Sequence, residues 1–165
     1  MTKTNAVRLL ESAKIKYFIH EYDVSDGKID GISVAHKIGK ESERVYKTLV
    51  AVGKSTGINV FVVPVDYELD LKKAARVAGD KNIEMIKSRE LEPLTGYIHG
   101  GCSPIGMKKL FPTFIEETAE LQDTIIFSAG RIGLQAEMAP NDFLQITKAV
   151  YSDLIKSNEQ VLYDS

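Results

Sequence analysis

The spacing of apolar and polar positions changes several times along the chain, and each change marks an element. Ala6, Leu9, Leu10 and Ala13 recur at helical spacing, with Thr4 or Asn5 placed to cap the exposed backbone N–H groups, so a first helix is expected over residues 4–13. Residues 17–22 read as a strand, 33–38 as a short helix stopped at Gly39, and 46–52 as a second strand. The nearly unbroken apolar run 58–65 follows a turn at 53–57, which predicts a hairpin across the core. Asp70 is placed to cap a helix over 71–78 that Gly79 ends, and 83–86 suggests a short strand. Further strands are expected at 96–99, 113–116, 124–128 and 134–138, each bounded by Gly or Pro. A last helix is expected from Pro140-Asn141-Asp142, with Phe143, Ile146, Val150 and Leu154 on one face, fraying after Lys156.

Strands outnumber helices and follow one another without βαβ alternation, which favours an α+β class over a doubly wound sheet. The expected architecture is a mixed, strongly curved, barrel-like sheet with helices packed outside. At 165 residues, with no repeats or linkers, residues 1–165 are expected to form one domain.

Composition narrows the function classes. Apolar residues make up 44% and charged residues 27%, an ordinary soluble balance that disfavours disorder. The N-terminus shows neither an apolar export segment nor a small-residue cleavage site, and the longest apolar runs are far too short to span a bilayer. No membrane association is expected. A single cysteine, Cys102, makes no internal disulfide and no thiolate metal site by itself, which fits a reducing cytoplasm. The formal net charge of −2 gives no global attraction to nucleic acid. Binding to a long DNA duplex is therefore disfavoured, and an RNA contact must rest on a local basic surface.

Candidate chemistry is concentrated in a few places. Gly100-Gly101-Cys102-Ser103-Pro104-Ile105-Gly106 demands a special backbone, since glycine tolerates positive φ and lets a ligand approach the main chain. It reads either as a cradle of N–H groups for a carbonyl or phosphate oxygen or as a tight connector. Lys47, in Val45-Tyr46-Lys47-Thr48-Leu49-Val50, is either an outward strand lysine or an inward cation that needs an anion to offset its burial. Ser128 closes a strand and Tyr22 closes another, so each either orients a substrate or serves local structure. Cys102 has no base placed to activate it, and His20, His36 and His99 lack paired-ligand spacing, so neither a thiolate nucleophile nor a metal is expected. No cofactor-binding fingerprint is present. Lys72, Lys73, Arg76 and Lys108 belong to a basic set that forms either an acceptor-stem rim or a solvated face.

Several ordered motifs resemble the YbaK/EbsC branch of the prolyl-tRNA-synthetase editing-domain superfamily. They are Val45-Tyr46-Lys47-Thr48-Leu49, Leu69-Asp70-Leu71-Lys72-Lys73, Thr95-Gly96-Tyr97, Gly100-Gly101 and Ser103-Pro104, within a likeness running over about 7–154. The resemblance implies a pocket for the aminoacylated 3′ end of a tRNA and deacylation of Cys-tRNA formed in error on tRNA(Pro), with Cys-tRNA(Cys) as a second substrate. It implies that Lys47 holds or polarises the substrate, that the Gly101 turn contacts its carbonyl, and that Tyr22, Ser103, Pro104, Ser128 and Gln135 line the site. The family's chemistry uses the substrate's own thiol as the nucleophile, and prolyl-tRNA synthetase is a candidate partner. The departure is Gln135, which stands where some members carry an aspartate; it hydrogen-bonds but supplies neither charge nor a general base. Alternatives are a deacylase for alanine or serine, and a non-catalytic module that binds an acceptor end or nucleotide.

Overall fold

The Thr4 hydroxyl accepts from the Val7 N–H and starts α1 (Asn5–Ser12), which buries Ala6, Val7 and Leu10. The structure, a computed structural model, describes residues 3–157. After α1 come β1 (Tyr17–Glu21), α2 (Gly31–Lys37), β2 (Tyr46–Gly53), β3 (Gly57–Pro64) and α3 (Leu71–Ala78). There follow β4 (Ile83–Met85), α4 (Ser88–Thr95), β5 (Thr113–Glu116), β6 (Ile125–Arg131), β7 (Leu134–Met138), α5 (Pro140–Thr147) and β8 (Val150–Ser152).

The α+β class is as expected, but the barrel-like sheet is not found. Strands β1-β7-β6 form one antiparallel sheet and β4-β2-β3-β5-β8 a second, mixed one. Between them the ladder is reduced to an isolated bridge, Val45 to Ile126. The reason is packing: Val50, Val60 and Val62 of one sheet share a core with Phe127, Leu134 and Ala136 of the other, so the two sheets are held by interdigitated side chains. The second sheet buries its opposite face, including Ala51, Phe61 and Val63, with Ala74 and Ala75 of α3 in the same cluster.

The β2/β3 hairpin forms as expected, with Lys47 opposite Val63. Asp70 caps α3 by accepting from the Lys72 and Lys73 N–H groups, and Gly79 ends it in the left-handed region. Two expectations need correction. Residues 96–99 are not a strand, because α4 precedes them and Gly96 at φ 87 ends that helix. The last helix stops at Thr147 because Lys148 turns to φ 62, and Val150 instead pairs with Phe114 in β8.

Candidate active site

Where the two sheets meet, α2 and the turn after α4 enclose a cavity of about 390 Å³. That volume lies in the range of small-molecule sites. Its floor and one wall come from β2, with Tyr46, Lys47, Thr48 and Leu49. Ser128 of β6 and Gln135 of β7 form a second wall, and Tyr22 with residues 29–32 a third. Gly100, Cys102 and His99 come from the glycine-rich turn.

Lys47 lies at the start of β2, half-buried. Burial pulls its pKa below the ordinary lysine value, an effect that Glu68 and Asp66 oppose. Neither carboxylate pairs with it directly: Glu68 is held by Lys156 at 3.1 Å and Asp66 accepts from Ser42. Among the described residues no carboxylate lies within ion-pair distance of the Lys47 ammonium. A partly desolvated cation without a partner suits an anionic or strongly polarised oxygen.

Ser128 and Gln135 are cross-strand partners, so their side chains share a face of the sheet. Ser128 is only 9% exposed, and its Oγ accepts from the Gly130 N–H at the bulge that ends the regular pairing. Gln135 is 6% exposed, and its Oε1 is buried with no hydrogen-bond partner. The Tyr22 hydroxyl and Thr48 Oγ1, also on this cavity, are in the same condition. Buried polar atoms are ordinarily paired, and a cluster of unpaired ones around one hollow marks where a polar ligand gains most. The Thr48 contribution was missed in the sequence, where its place beside Lys47 was the only signal.

Behind this wall, Glu137 faces the same side of β7 as Gln135 and is buried. It accepts from Thr124 at 2.5 Å and Arg44 at 3.3 Å, and lies 2.6 Å from His20 Nε2. Burial alone would push its carboxyl up; the Thr124 and His20 hydrogen bonds and the Lys40 charge outweigh that and hold it below the usual range.

The glycine-rich turn supports the cavity more than it faces it. The Gly101 N–H donates to the Ile98 carbonyl at 3.0 Å, and a Cβ there would meet the Ile132 backbone nitrogen at 2.9 Å. Gly101 thus lets the turn close onto the β6/β7 connection, which brings its neighbours Gly100 and Cys102 to the cavity wall. Ser103 is fully buried and its Oγ accepts from the Ile105 N–H, while Pro104 lines a different groove with Leu9 and Phe111. Burial pushes the Cys102 thiol up to about 11, which favours its weakly nucleophilic protonated form at neutral pH.

None of the basic candidates lines the cavity. Lys73 is occupied by Asp153 and the Ile155 carbonyl, and Lys108 by the Pro93 carbonyl. Lys72 and Arg76 are exposed on α3. Among the described residues no group of three His, Cys, Asp or Glu side chains gathers as a metal site, and no helix is long and apolar enough to cross a membrane.

Known proteins carry the same fold and sequence pattern. The chain is 47% identical over 152 residues to an Enterococcus faecalis protein whose name assigns it as a Cys-tRNA(Pro)/Cys-tRNA(Cys) deacylase, EbsC, a match covering 92% of this chain and 93% of that one. A crystal structure described as that of a trans-editing enzyme for prolyl tRNA synthetase superposes with a TM-score of 0.81 at 26% identity, over 95% of this chain and 100% of that one. The hypothetical protein APE2540 shares the fold, with a TM-score of 0.84 at 18% identity over 93% and 100% of the two chains. Residues 31–146 match the family described as the aminoacyl-tRNA editing domain. This span holds Lys47, the glycine-rich turn, Ser128 and Gln135, and by it the chain belongs to the aminoacyl-tRNA editing domain family.

Proposed function

We propose that this protein removes cysteine from Cys-tRNA(Pro) formed in error, and from Cys-tRNA(Cys). The observation that carries the reading is the single cavity shared by Lys47, Tyr22, Thr48, Ser128 and Gln135, with three of their polar atoms buried and unpartnered. Support for the substrate comes from the E. faecalis relative's name.

The groups present suit positioning rather than nucleophilic attack by the protein. A cysteinyl ester holds its nucleophile and electrophile in one molecule, so orientation and charge stabilisation suffice to drive cleavage. In this reaction the substrate sulfur bonds to the ester carbonyl carbon, the bond from that carbon to the ribose oxygen breaks, and the thiol proton passes to the departing ribose hydroxyl. The products are a thiolactone, which water opens to cysteine, and a tRNA with a free 3′ end. Lys47 holds the carbonyl oxygen as negative charge builds. The Gly101 amide is committed to Ile98, so the turn acts by presenting Gly100 and Cys102, and Ser103 and Pro104 act by holding the turn. Tyr22, Ser128 and Gln135 bind the ribose and the amino-acid portion, and the neutral Gln135 does so without a counter-charge.

Lys72 and Arg76 are the exposed members of the basic set left for phosphate contacts. One domain over 1–165, a cytoplasmic setting and an association with prolyl-tRNA synthetase complete the reading; the last is supported by the description of the structural neighbour.

Deacylation measured on Cys-tRNA(Pro), Cys-tRNA(Cys), Ala-tRNA(Pro), Ser-tRNA and Pro-tRNA(Pro) tests this reading. Cysteinyl esters are expected to be cleaved fastest. Preference for Ala or Ser would reassign the amino acid, and stability of every ester would overturn the enzyme.

A further inference from the structure

Tyr22 and residues 29–32 form one wall of the cavity, yet the segment between them has little regular structure to fix it. Its own contacts are short-range: Gly27 donates to the Val24 carbonyl, Asp23 accepts from Ser25, and Asp26 accepts from the Lys28 N–H. Such turns shape residues 23–28 locally, and the segment is anchored at its two ends, where the Tyr22 N–H donates to the Gly133 carbonyl at 3.1 Å and Asp30 Oδ2 accepts from the Ser33 N–H.

Between those ends the tie to the fold comes from Lys37, at the far end of α2. Its ammonium donates to the Asp23 carbonyl at 2.6 Å, to Asp26 Oδ1 at 2.8 Å and to the Lys28 carbonyl at 2.9 Å. An ammonium has three donors, and here all three are spent on three separate points of one loop. The same nitrogen lies 5.9 Å from the centroid of the Tyr22 ring, within cation–π reach. The helix that carries Lys37 is itself seated close on the core: a Cβ at Gly31 would stand 2.3 Å from Val65 Cγ1.

We propose that Lys37 is a positioning residue that pins the loop 23–28 to α2 and so sets the shape of the wall that Tyr22 and residues 29–32 offer to the acylated ribose. It does not touch the cavity and acts through Tyr22 and the loop. This deepens the deacylase reading and rests on it for its catalytic consequence, while the pinning itself is independent of any activity.

Two measurements on the full chain test it. In the first, amide hydrogen exchange is compared in wild type, K37M and K37R. K37M is expected to lose protection at residues 23–30 while β2 and β3 keep theirs, and K37R, which retains a cation with several donors, is expected to recover part of it. Unchanged protection at 23–30 in K37M would overturn the proposal, even if the wild type cleaves no aminoacyl-tRNA. In the second, kcat and KM on Cys-tRNA(Pro) are measured for K37M, Y22F and the double variant. K37M is expected to lower kcat/KM by about ten- to a hundredfold through misplacement of the wall. The double variant is expected to lose less than the two single losses combined, because both act on one element. Fully additive losses, or a wild-type kcat/KM in K37M, would sink the positioning role. A wild type that cleaves no ester removes the proposed function and leaves the pinning to be judged by exchange alone.

Discussion

Ser128 and Gln135 stand directly opposite each other on β6 and β7 and face the cavity that Lys47 closes from the other sheet. The site is therefore an interface between two sheets. Each sheet supplies one wall, and the shared apolar core fixes their separation.

Replacing Lys47 by Met separates function from stability. Loss of the cation is expected to cut kcat/KM by about a hundredfold or more, the scale of a removed oxyanion contact. Stability is expected to change by less than about 1 kcal/mol, since no ion pair is broken. The direction follows from the lowered pKa: the folded state holds this proton less tightly than the unfolded one, a penalty fully present below the folded pKa and relieved as pH rises through it. Wild type should thus be slightly less stable than K47M at neutral pH, with the gap closing at alkaline pH in denaturant titrations.

Gly101→Ala places a methyl against the Ile132 nitrogen and the Arg131 carbonyl carbon. Neither backbone atom yields as a flexible side chain would, so a loss of about 1–3 kcal/mol is expected. Activity is expected to fall with it, because the displaced connection joins the strands bearing Ser128 and Gln135. Thermal unfolding and deacylation measured together check the coupling.

Glu137→Ala leaves Arg44, Thr124 and His20 without their common acceptor and is expected to cost about 3 kcal/mol, as for other broken buried pairs. In wild type this carboxylate sits below its ordinary pKa, so its contribution is present above about pH 4.3 and is lost as pH falls through the folded value. Glu137→Gln, which cannot titrate, should flatten that part of the acid limb.

Cys102→Ser is expected to keep deacylation. In the folded chain the thiol should react slowly with a disulfide reagent at pH 7–8, because burial keeps it protonated, and quickly after unfolding. Rapid modification with parallel loss of turnover would reverse that assignment.

What was readable in the sequence was what depends on neighbours in the chain. The β2/β3 hairpin and α3 follow from contiguous apolar runs and from Asp70 and Gly79 at the helix ends. Helix α4 contains Pro93, a residue that by itself argues against a helix interior, and only its closure at Gly96 shows that 96–99 is not a strand. Val150 fits a helical face equally well, and only pairing with Phe114 makes it a strand residue. Lys47 lies in an ordered motif, Tyr22 and Ser128 stand out as polar residues that close strands, and Gln135 stands out as a departure from the family pattern; all four line the cavity. Lys37 does not stand out, because its role lies in three acceptors on a loop that a sequence cannot place.

The order of assembly is also written into this topology. Strand β2 meets its partner β3 within a few residues, whereas β1 must wait for β7, and the Thr4 hydroxyl for the Ala129 carbonyl, 125 positions away. A nascent chain emerging from the ribosome can thus complete the lysine-bearing hairpin early, while β1 stays unpaired until β7 has been made. A translation product that stops before β6 and β7 therefore carries the ammonium without the Ser128 and Gln135 wall that completes its hollow.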